Sequence, residues 1–377
     1  MNKLLELSNQ GLERALCPQP ITPNAWSFSG QDLREAIQGD RLLNVSIDLS
    51  NECNLNCPYC FTAPANSSKR EWTQDCLSFE EYKDIIIQLK KAGTRTINII
   101  GAGEPTMYLH FDELIKFISL QGIKVCVSTN GILLSSQNKR IDLLNEIQAT
   151  IILKVNSRNG HLQDLLVGRN GYAAIRDNTL KKLISKGFNK EIPTRLAINT
   201  LLIKPIYTEL YDIFLFCREN NISLIASVYM PTGRTSGLVF HGKEAIPNNF
   251  YVLEDLYQPL TEDDIAKLLK QLKDYDKRNS IVRAPHPAYI SGIACTQLLG
   301  IQIDNHGKVW SCPARKLLID GNVEEIPLAE DKTKKYLTLW NEDTLANIRK
   351  IYNGSCIYKG QINCYVNDNV KVYQIII

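Results

Sequence analysis

Residues 52–61 read Glu-Cys-Asn-Leu-Asn-Cys-Pro-Tyr-Cys-Phe and hold three cysteines, Cys53, Cys57 and Cys60, within eight positions. Thiolates at this C-x3-C-x2-C spacing can bind one metal centre, either zinc or an iron–sulfur cluster. A disulfide framework would instead place cysteines farther apart and in even number. Because a 4Fe-4S cluster has four irons, three cysteine ligands leave one iron open to an exchangeable ligand. The stretch therefore predicts a metal centre that can take part in a reaction.

Downstream of residue 43 the chain alternates between apolar strands and amphipathic helices. The predicted strands lie at 43–49, 96–100, 123–128, 150–155, 195–203 and 223–228. Helices are predicted at 112–120, 172–186 and 209–220, and a capping box from Ser78 to Glu81 begins another. Short connections between such units predict a parallel sheet with right-handed crossovers, in an open or partial barrel. Since the β–α loops of a parallel barrel meet at one mouth, we expect the cysteine loop to lie there.

The cysteine spacing, with Tyr59 directly before the last cysteine, resembles the signature of the radical S-adenosylmethionine (radical SAM) superfamily. The resemblance implies an α/β fold with a partial (β/α)6 TIM-type barrel, and a catalytic 4Fe-4S cluster on Cys53, Cys57 and Cys60 whose open iron binds S-adenosylmethionine. One electron from the reduced cluster then gives methionine and a 5'-deoxyadenosyl radical, which takes hydrogen from an unactivated C–H bond. A one-electron reductant such as flavodoxin or ferredoxin is also implied. The alternative is a zinc site completed by a distant histidine.

The loop Gly101-Ala102-Gly103-Glu104-Pro105 follows the second predicted strand and resembles the element that binds the amino group of S-adenosylmethionine. Glu104 is then the acceptor for the ammonium group, although Ala102 replaces the first glycine of the family element. The further cofactor contacts implied by the resemblance are Tyr59, Gly103, Pro105, Ser128, Asn130, Asn156, Ser157 and Arg169. Arg169 would pair with the cofactor carboxylate. For Ser128 and Asn130 the alternative is an ordinary Asn-Gly turn after the third strand. For Arg169 the alternative is an arginine on the surface, exposed to solvent.

Four more cysteines, Cys295, Cys312, Cys356 and Cys364, lie near the C-terminus. The first two flank a hairpin pattern at 301–310, and four thiolates can fill all corners of a second 4Fe-4S cluster. This arrangement resembles the opening of the SPASM and twitch auxiliary-cluster domains of radical SAM enzymes. The single-cluster twitch form fits better, because the usual C-x2-C-x5-C-x3-C block is missing. Zinc bound by the same four cysteines is the alternative.

Composition places few limits on the partners of the chain. The hydrophobic fraction is 44%, the charged fraction is 22% and the formal net charge is +3, without long blocks of one sign. We therefore expect no nucleic-acid partner. No apolar run reaches the roughly 18 residues of a membrane span, and residues 1–10 lack the basic-then-apolar order of a secretion signal, so we expect no membrane association and a cytoplasmic location. The expected units are a lead-in (1–43), a radical SAM core (44–230), a connection (231–290) and an auxiliary-cluster domain (291–377).

The expected reaction is the net oxidation of a small natural product, such as a sugar or aminocyclitol alcohol. An auxiliary cluster can accept the electron of a substrate radical, and the lead-in is too short for a peptide-recognition domain. The alternative is a maturase of a ribosomal peptide or protein, which makes a cross-link, an epimer or an oxidised side chain. An epimerase must return hydrogen to the opposite face of the substrate radical, and a thiol in the barrel is the usual donor. Cys126, two residues before Ser128 on the third strand, is expected on the interior side but too deep to serve.

Overall fold

Six parallel strands form the centre of this α/β protein. The computed structural model describes residues 23–29, 31–32, 41–60, 76–228, 260–280, 286–287, 300–310, 316–319, 322–325 and 374–376. The strands are β1 (Asn44–Ile47), β2 (Thr96–Ile99), β3 (Lys124–Thr129), β4 (Thr150–Lys154), β5 (Leu196–Leu202), β6 (Ser223–Val228), β7 (His286–Pro287), β8 (Gln302–Ile303), β9 (Val309–Trp310), β10 (Lys316–Ile319), β11 (Asn322–Glu325) and β12 (Gln374–Ile376). All six predicted strands are present as β1 to β6, and each pairs in parallel with its sequence neighbour.

Helices connect these strands. They are α1 (Phe79–Lys91), α2 (Phe111–Leu120), α3 (Ile132–Ser136), α4 (Asn138–Glu146), α5 (Gly160–Val167), α6 (Tyr172–Ser185), α7 (Tyr207–Glu219) and α8 (Glu262–Arg278). The predicted capping box is confirmed at α1, where Ser78 and Glu81 each bind the other's backbone N–H. Sequence reasoning missed α3, α4 and α5, which lie in the connections that follow β3 and β4. No helix in the described residues is long and apolar enough to cross a membrane.

The two faces of the sheet have different environments. One face packs against the helices and forms the main core, which includes Ile97, Val125, Val127 and Leu153. Side chains that alternate with these form a smaller cluster on the opposite face, from Cys126, Ile152, Ala197 and Ile225 on neighbouring strands together with Ala25. The second face is therefore the interior of the barrel.

Residues from the C-terminal part of the chain cover both edges of the six-stranded centre. β8 pairs in parallel with β1 and forms an antiparallel hairpin with β9, as the pattern at 301–310 predicted. On the other edge, β12 pairs antiparallel with β6. The four expected auxiliary ligands (Cys295, Cys312, Cys356 and Cys364) lie outside the described residues. The auxiliary domain and the domain boundaries remain predictions.

Candidate active site

Cys53, Cys57 and Cys60 lie on the loop after β1, half-buried and without disulfides. Cys53 and Cys57 pack against a small apolar cluster that includes Val167 and Tyr172. Burial, followed by the neighbouring Cys60 and Cys53, raises the pKa of the Cys57 thiol to about 12. The three thiols are therefore close enough to interact electrostatically.

Contacts from two distant loops hold this cysteine loop in place. Asn130 donates from Nδ2 to Asn54 Oδ1 over 2.7 Å, and Arg169 donates from Nη1 to Asn54 O over 2.8 Å. Gly168 has a φ of +64°, and a Cβ there would lie 2.6 Å from Asn56 O. In this structure Arg169 thus binds the loop backbone, and its expected contact with a cofactor carboxylate remains a prediction.

Glu104 lies at the end of the loop that follows β2, and it is only 3% exposed. Its carboxylate accepts hydrogen bonds from Thr106 N and Oγ1, from Thr129 Oγ1 and from Asn130 N, at 2.6–3.2 Å. Burial raises the pKa of Glu104, and these hydrogen bonds oppose the rise. Sequence reasoning named Glu104 and Asn130 but gave no role to Thr106 and Thr129, although both lie beside those residues in the sequence. The carboxylate is therefore fixed in orientation before any ligand binds.

Gly103 and Pro105 place Glu104 against the start of the cysteine loop. Gly103 N donates to Ser50 O over 2.8 Å, and Glu104 N donates to Glu52 O over 2.7 Å. Pro105 then begins a short 3-10 helix, where its fixed φ is compatible with helical geometry. These backbone contacts bring the expected ammonium acceptor and the thiol loop together.

Asn156 and Ser157 follow β4 and are fully buried. Asn156 Nδ2 donates to the Tyr59 hydroxyl over 2.9 Å, whereas Asn156 Oδ1 is buried without a hydrogen-bond partner. Ser157 Oγ donates to the Glu209 carboxylate at the start of α7 over 2.8 Å. Asn156 thus has an acceptor left for a ligand, while the Ser157 hydroxyl is already bound. Their expected cofactor contacts remain predictions.

Ser128 and Cys126 lie two positions apart on β3, so strand alternation places both on the interior side. Cys126 packs in the interior apolar cluster, and burial raises its pKa well above the usual range. Ser128 is half-buried nearer to the strand end. The structure thus places Cys126 as expected, and the contact of Ser128 with a cofactor remains a prediction.

The last residue of β4, Lys154, was missed as a candidate. Its Nζ donates to Asn199 Oδ1 over 2.8 Å and lies 5.3 Å from the centre of the Tyr59 ring. Burial lowers the pKa of Lys154 to about 8, while the nearby Cys57 and Cys60 raise it. The sequence does place a lysine at the end of a predicted strand, on the side of the mouth. A lysine at such a position is equally typical of a residue exposed to solvent.

The residues present fit an iron–sulfur cluster with three protein ligands. The thiols lie on one loop, and a buried carboxylate and the unpartnered Asn156 Oδ1 are contributed by the neighbouring strand ends. Within the described ranges, no group of three His, Cys, Asp or Glu side chains is arranged to hold a metal ion. In a 4Fe-4S cluster each thiolate binds a different iron, so the ligands of a cluster lie farther apart than those of a single ion.

Comparison with known proteins finds similarity over this region. Residues 47–209 match the family model described as Radical SAM superfamily. GTP 3',8-cyclase of Synechocystis sp. is 27% identical over 184 residues, which cover 48% of this chain and 52% of that relative. Mycofactocin maturase MftC of Mycolicibacterium smegmatis is 25% identical over 309 residues, 76% of this chain and 70% of that relative.

The fold also matches a solved structure, Streptococcus suis SuiB bound to S-adenosylmethionine. The TM-score is 0.57 at 21% sequence identity, and the match covers 86% of this chain and 73% of that chain. The alignment with the Synechocystis cyclase spans only about half of that relative. The cysteine loop and the Glu104 loop both lie inside the region that the family model matches. Residues 47–209 are therefore similar to the radical SAM superfamily domain.

Proposed function

We propose that this chain is a radical SAM enzyme that binds a 4Fe-4S cluster through Cys53, Cys57 and Cys60, together with S-adenosylmethionine. The observation that carries the proposal is the half-buried three-thiol loop, joined by backbone hydrogen bonds to the loop that carries the buried Glu104. When bound, the cluster supplies the electron for reductive cleavage of S-adenosylmethionine, and the resulting 5'-deoxyadenosyl radical abstracts hydrogen from an unactivated C–H bond of the substrate.

The chain's own residues bind and orient the cofactor. Glu104 accepts a hydrogen bond from the ammonium group, and its fixed carboxylate needs no reorganisation when the ligand arrives. Asn156 Oδ1, which is buried without a partner, accepts from a donor group of the ligand. The Tyr59 hydroxyl accepts a hydrogen bond from Asn156 Nδ2, and this contact joins the cysteine loop to the end of β4.

For the substrate, we propose the net oxidation of a small natural product such as a sugar or aminocyclitol alcohol, with the auxiliary cluster as electron acceptor. Oxidation needs no thiol that returns hydrogen to the substrate radical. The position of Cys126 supports this reaction, because the thiol packs in the interior apolar cluster, two residues before Ser128 on β3 and farther from the mouth.

The second candidate function is maturation of a ribosomal peptide or protein. The similarity to mycofactocin maturase MftC favours it, because that alignment covers 76% of this chain. The genes next to that of this protein distinguish the two candidates. A gene for a short precursor peptide favours maturation, whereas genes for sugar-modifying enzymes favour small-molecule oxidation.

The reaction class is tested by replacing Cys53, Cys57 and Cys60 together with Ala. After anaerobic reconstitution we expect the variant to hold about half of the iron, because only the second cluster remains, and to form no 5'-deoxyadenosine. The measurements are iron content per chain and 5'-deoxyadenosine by liquid chromatography. A Cys126→Ala/Cys217→Ala variant is the matched control and should retain both properties. Continued cofactor cleavage by the triple variant would contradict the proposal.

A further inference from the structure

Arg140 on α4 is a mostly buried cation that none of the sequence motifs includes. Its side chain is 13% exposed, and Nε donates to Asp112 Oδ1 over 2.6 Å. Nη1 of the same guanidinium donates to Thr106 O over 2.9 Å, and the group lies 5.2 Å from the ring centre of Phe111. A planar guanidinium held by a carboxylate, a carbonyl and an aromatic ring is fixed in orientation. Arg140 therefore joins α2 to the short 3-10 helix Pro105–Met107.

The carboxylate of Glu104 receives its hydrogen bonds unevenly. Oε1 accepts from Thr106 N over 3.2 Å, from Thr106 Oγ1 over 2.6 Å and from Thr129 Oγ1 over 2.6 Å. Oε2 accepts from Asn130 N over 2.8 Å, which is its one hydrogen bond among the described residues. Each carboxylate oxygen has about two lone-pair sites, so Oε1 is fully occupied and Oε2 retains a site for a ligand donor.

Thr106 connects Arg140 to Glu104. It supplies two of the four hydrogen bonds that Glu104 accepts, and its carbonyl is the group that Arg140 binds. A 3-10 helix of three residues forms few hydrogen bonds of its own, so contacts from outside fix its orientation. Thr106 is buried, so loss of Arg140 would leave a buried carbonyl without this donor. The position of Thr106, and with it the orientation of the Glu104 carboxylate, therefore depends on Arg140.

We propose that Arg140 is a positioning residue for S-adenosylmethionine. Through Thr106 it fixes the Glu104 carboxylate so that Oε2 faces the ammonium group of the ligand, and Arg140 itself makes no contact with that ligand. The assignment rests on the proposed function, because it requires S-adenosylmethionine beside Glu104. It adds to that function a residue from the helices outside the sheet, on a helix that the sequence patterns did not predict.

The test compares S-adenosylmethionine with its deaminated analogue, in which hydrogen replaces the amino group, in equilibrium dialysis of the reconstituted full chain. In Arg140→Gln we expect the Kd for S-adenosylmethionine to rise about 5- to 20-fold, because a charge-assisted hydrogen bond to the ligand is misaligned. The Kd for the deaminated analogue should change less than about twofold, since that ligand offers Glu104 no ammonium donor. Binding is read directly, so the result does not depend on turnover.

Two further variants test the route through Thr106. Arg140→Lys keeps a cation beside Asp112, which preserves the fold if Arg140→Gln unfolds. Its single ammonium group lacks the planar set of N–H donors that also reaches Thr106 O, so we expect the same selective loss. Thr106→Val removes the hydroxyl donor to Glu104. Combined with Arg140→Gln it should weaken binding by less than the product of the two single effects, because both act on one carboxylate.

Arg218→Gln is the matched control. Arg218 is buried and donates from Nε and Nη2 to the two Asp276 carboxylate oxygens over 3.0 and 2.9 Å, which joins α7 to α8. The substitution removes a buried arginine ion pair from helices that follow β5 and β6 in the chain. It should lower the midpoint of thermal unfolding at least as much as Arg140→Gln does, while both Kd values stay within about twofold of those of the parent.

Three results would overturn the assignment while leaving the proposed function intact. One is an equal loss of affinity for both ligands in Arg140→Gln and Arg140→Lys, which would give Arg140 a structural role alone. Another is an unchanged Kd for S-adenosylmethionine in these variants. The third is a double variant whose loss equals the product of the effects of Arg140→Gln and Thr106→Val. A parent protein that binds neither ligand would instead contradict the proposed function itself.

Discussion

Gly103 shows how a single residue can determine the geometry of the site. A Cβ at this position would lie 2.0 Å from Glu52 O and 2.7 Å from the carbonyl carbon of Asn51. No side chain fits there, because the Gly103–Glu104 backbone is joined to the start of the cysteine loop by hydrogen bonds to Ser50 and Glu52. Glycine is therefore required for close backbone approach and not for a positive φ.

Gly103→Ala tests this requirement. We expect the free energy of unfolding to fall by about 1–3 kcal/mol or more, since backbone atoms must move to admit the methyl group, and cluster retention to fall with it. Anaerobic urea denaturation and iron content measure the two effects. Gly160→Ala is the matched control, because its Cβ would lie 3.6 Å from Ala173 in ordinary contact at the start of α5. Equal stability of the two variants would contradict the steric account.

At the scale of elements, a short segment near the N-terminus closes the end of the barrel opposite the cysteine loop. Its 3-10 helix, Asn24–Trp26, forms hydrogen bonds with the first residues of the strands. Thr96 Oγ1 donates to Ala25 O over 2.6 Å, and Ala25 N donates to Thr150 Oγ1 over 3.1 Å. Ala25 also packs in the interior cluster. The described part of the expected lead-in is thus built into the barrel, which the sequence did not indicate.

Trp26→Phe removes one hydrogen bond between this N-terminal segment and the barrel while keeping an aromatic ring. The indole donates to Asn98 Oδ1 over 2.7 Å, and Asn98 is only 2% exposed. We expect a loss of about 1–3 kcal/mol in the free energy of unfolding, because a buried carboxamide oxygen loses its donor. Leu120→Ala, at a side chain that is 82% exposed, should change stability by less than about 0.5 kcal/mol. Urea denaturation measures the free energy of unfolding of both variants. A smaller loss for Trp26→Phe than for Leu120→Ala would contradict a stabilising role of the Trp26–Asn98 hydrogen bond.

For the whole molecule, pairing of C-terminal residues with β1 ties distant parts of the chain together. Gln302 donates from Nε2 to Asp48 Oδ2 over 3.0 Å, across 254 positions of sequence. Gly300 lies so close to the backbone of Asn44 that a Cβ would be 1.5 Å from Asn44 O. The β8–β9 hairpin therefore packs on the strand that leads into the cysteine loop, and Ile301, Ile303 and Val309 join the main core.

The auxiliary cluster is tested at this scale by replacing Cys295, Cys312, Cys356 and Cys364 with Ala. We expect iron content to fall by about half while the first cluster remains, because the two ligand sets are independent. The variant should still cleave S-adenosylmethionine slowly but should release no product. Iron analysis and product detection by mass spectrometry check both statements. Iron content equal to that of the intact protein would exclude the second cluster.

The sequence by itself determined the strand–helix alternation and the thiol loop. Hydrophobic periodicity is local, so all six central strands, α1 and the β8–β9 hairpin could be predicted from residues close together in the chain. The cysteine spacing is equally local, and it fixed Cys53, Cys57 and Cys60 as the candidate cluster ligands. The short helices α3, α4 and α5 were missed, because nine or fewer residues carry little periodic signal.

Only the tertiary structure decided which polar side chains at the mouth already form hydrogen bonds with other residues of the chain. Arg169 binds Asn54 across 115 positions, Ser157 binds Glu209 across 52, and Lys154 binds Asn199 across 45. Each pair forms because sheet register brings loops from different strands to one edge, and a hydrogen bond depends on distances of a few tenths of an ångström. Sequence patterns carry no such long-range distances, so they indicated none of these three contacts.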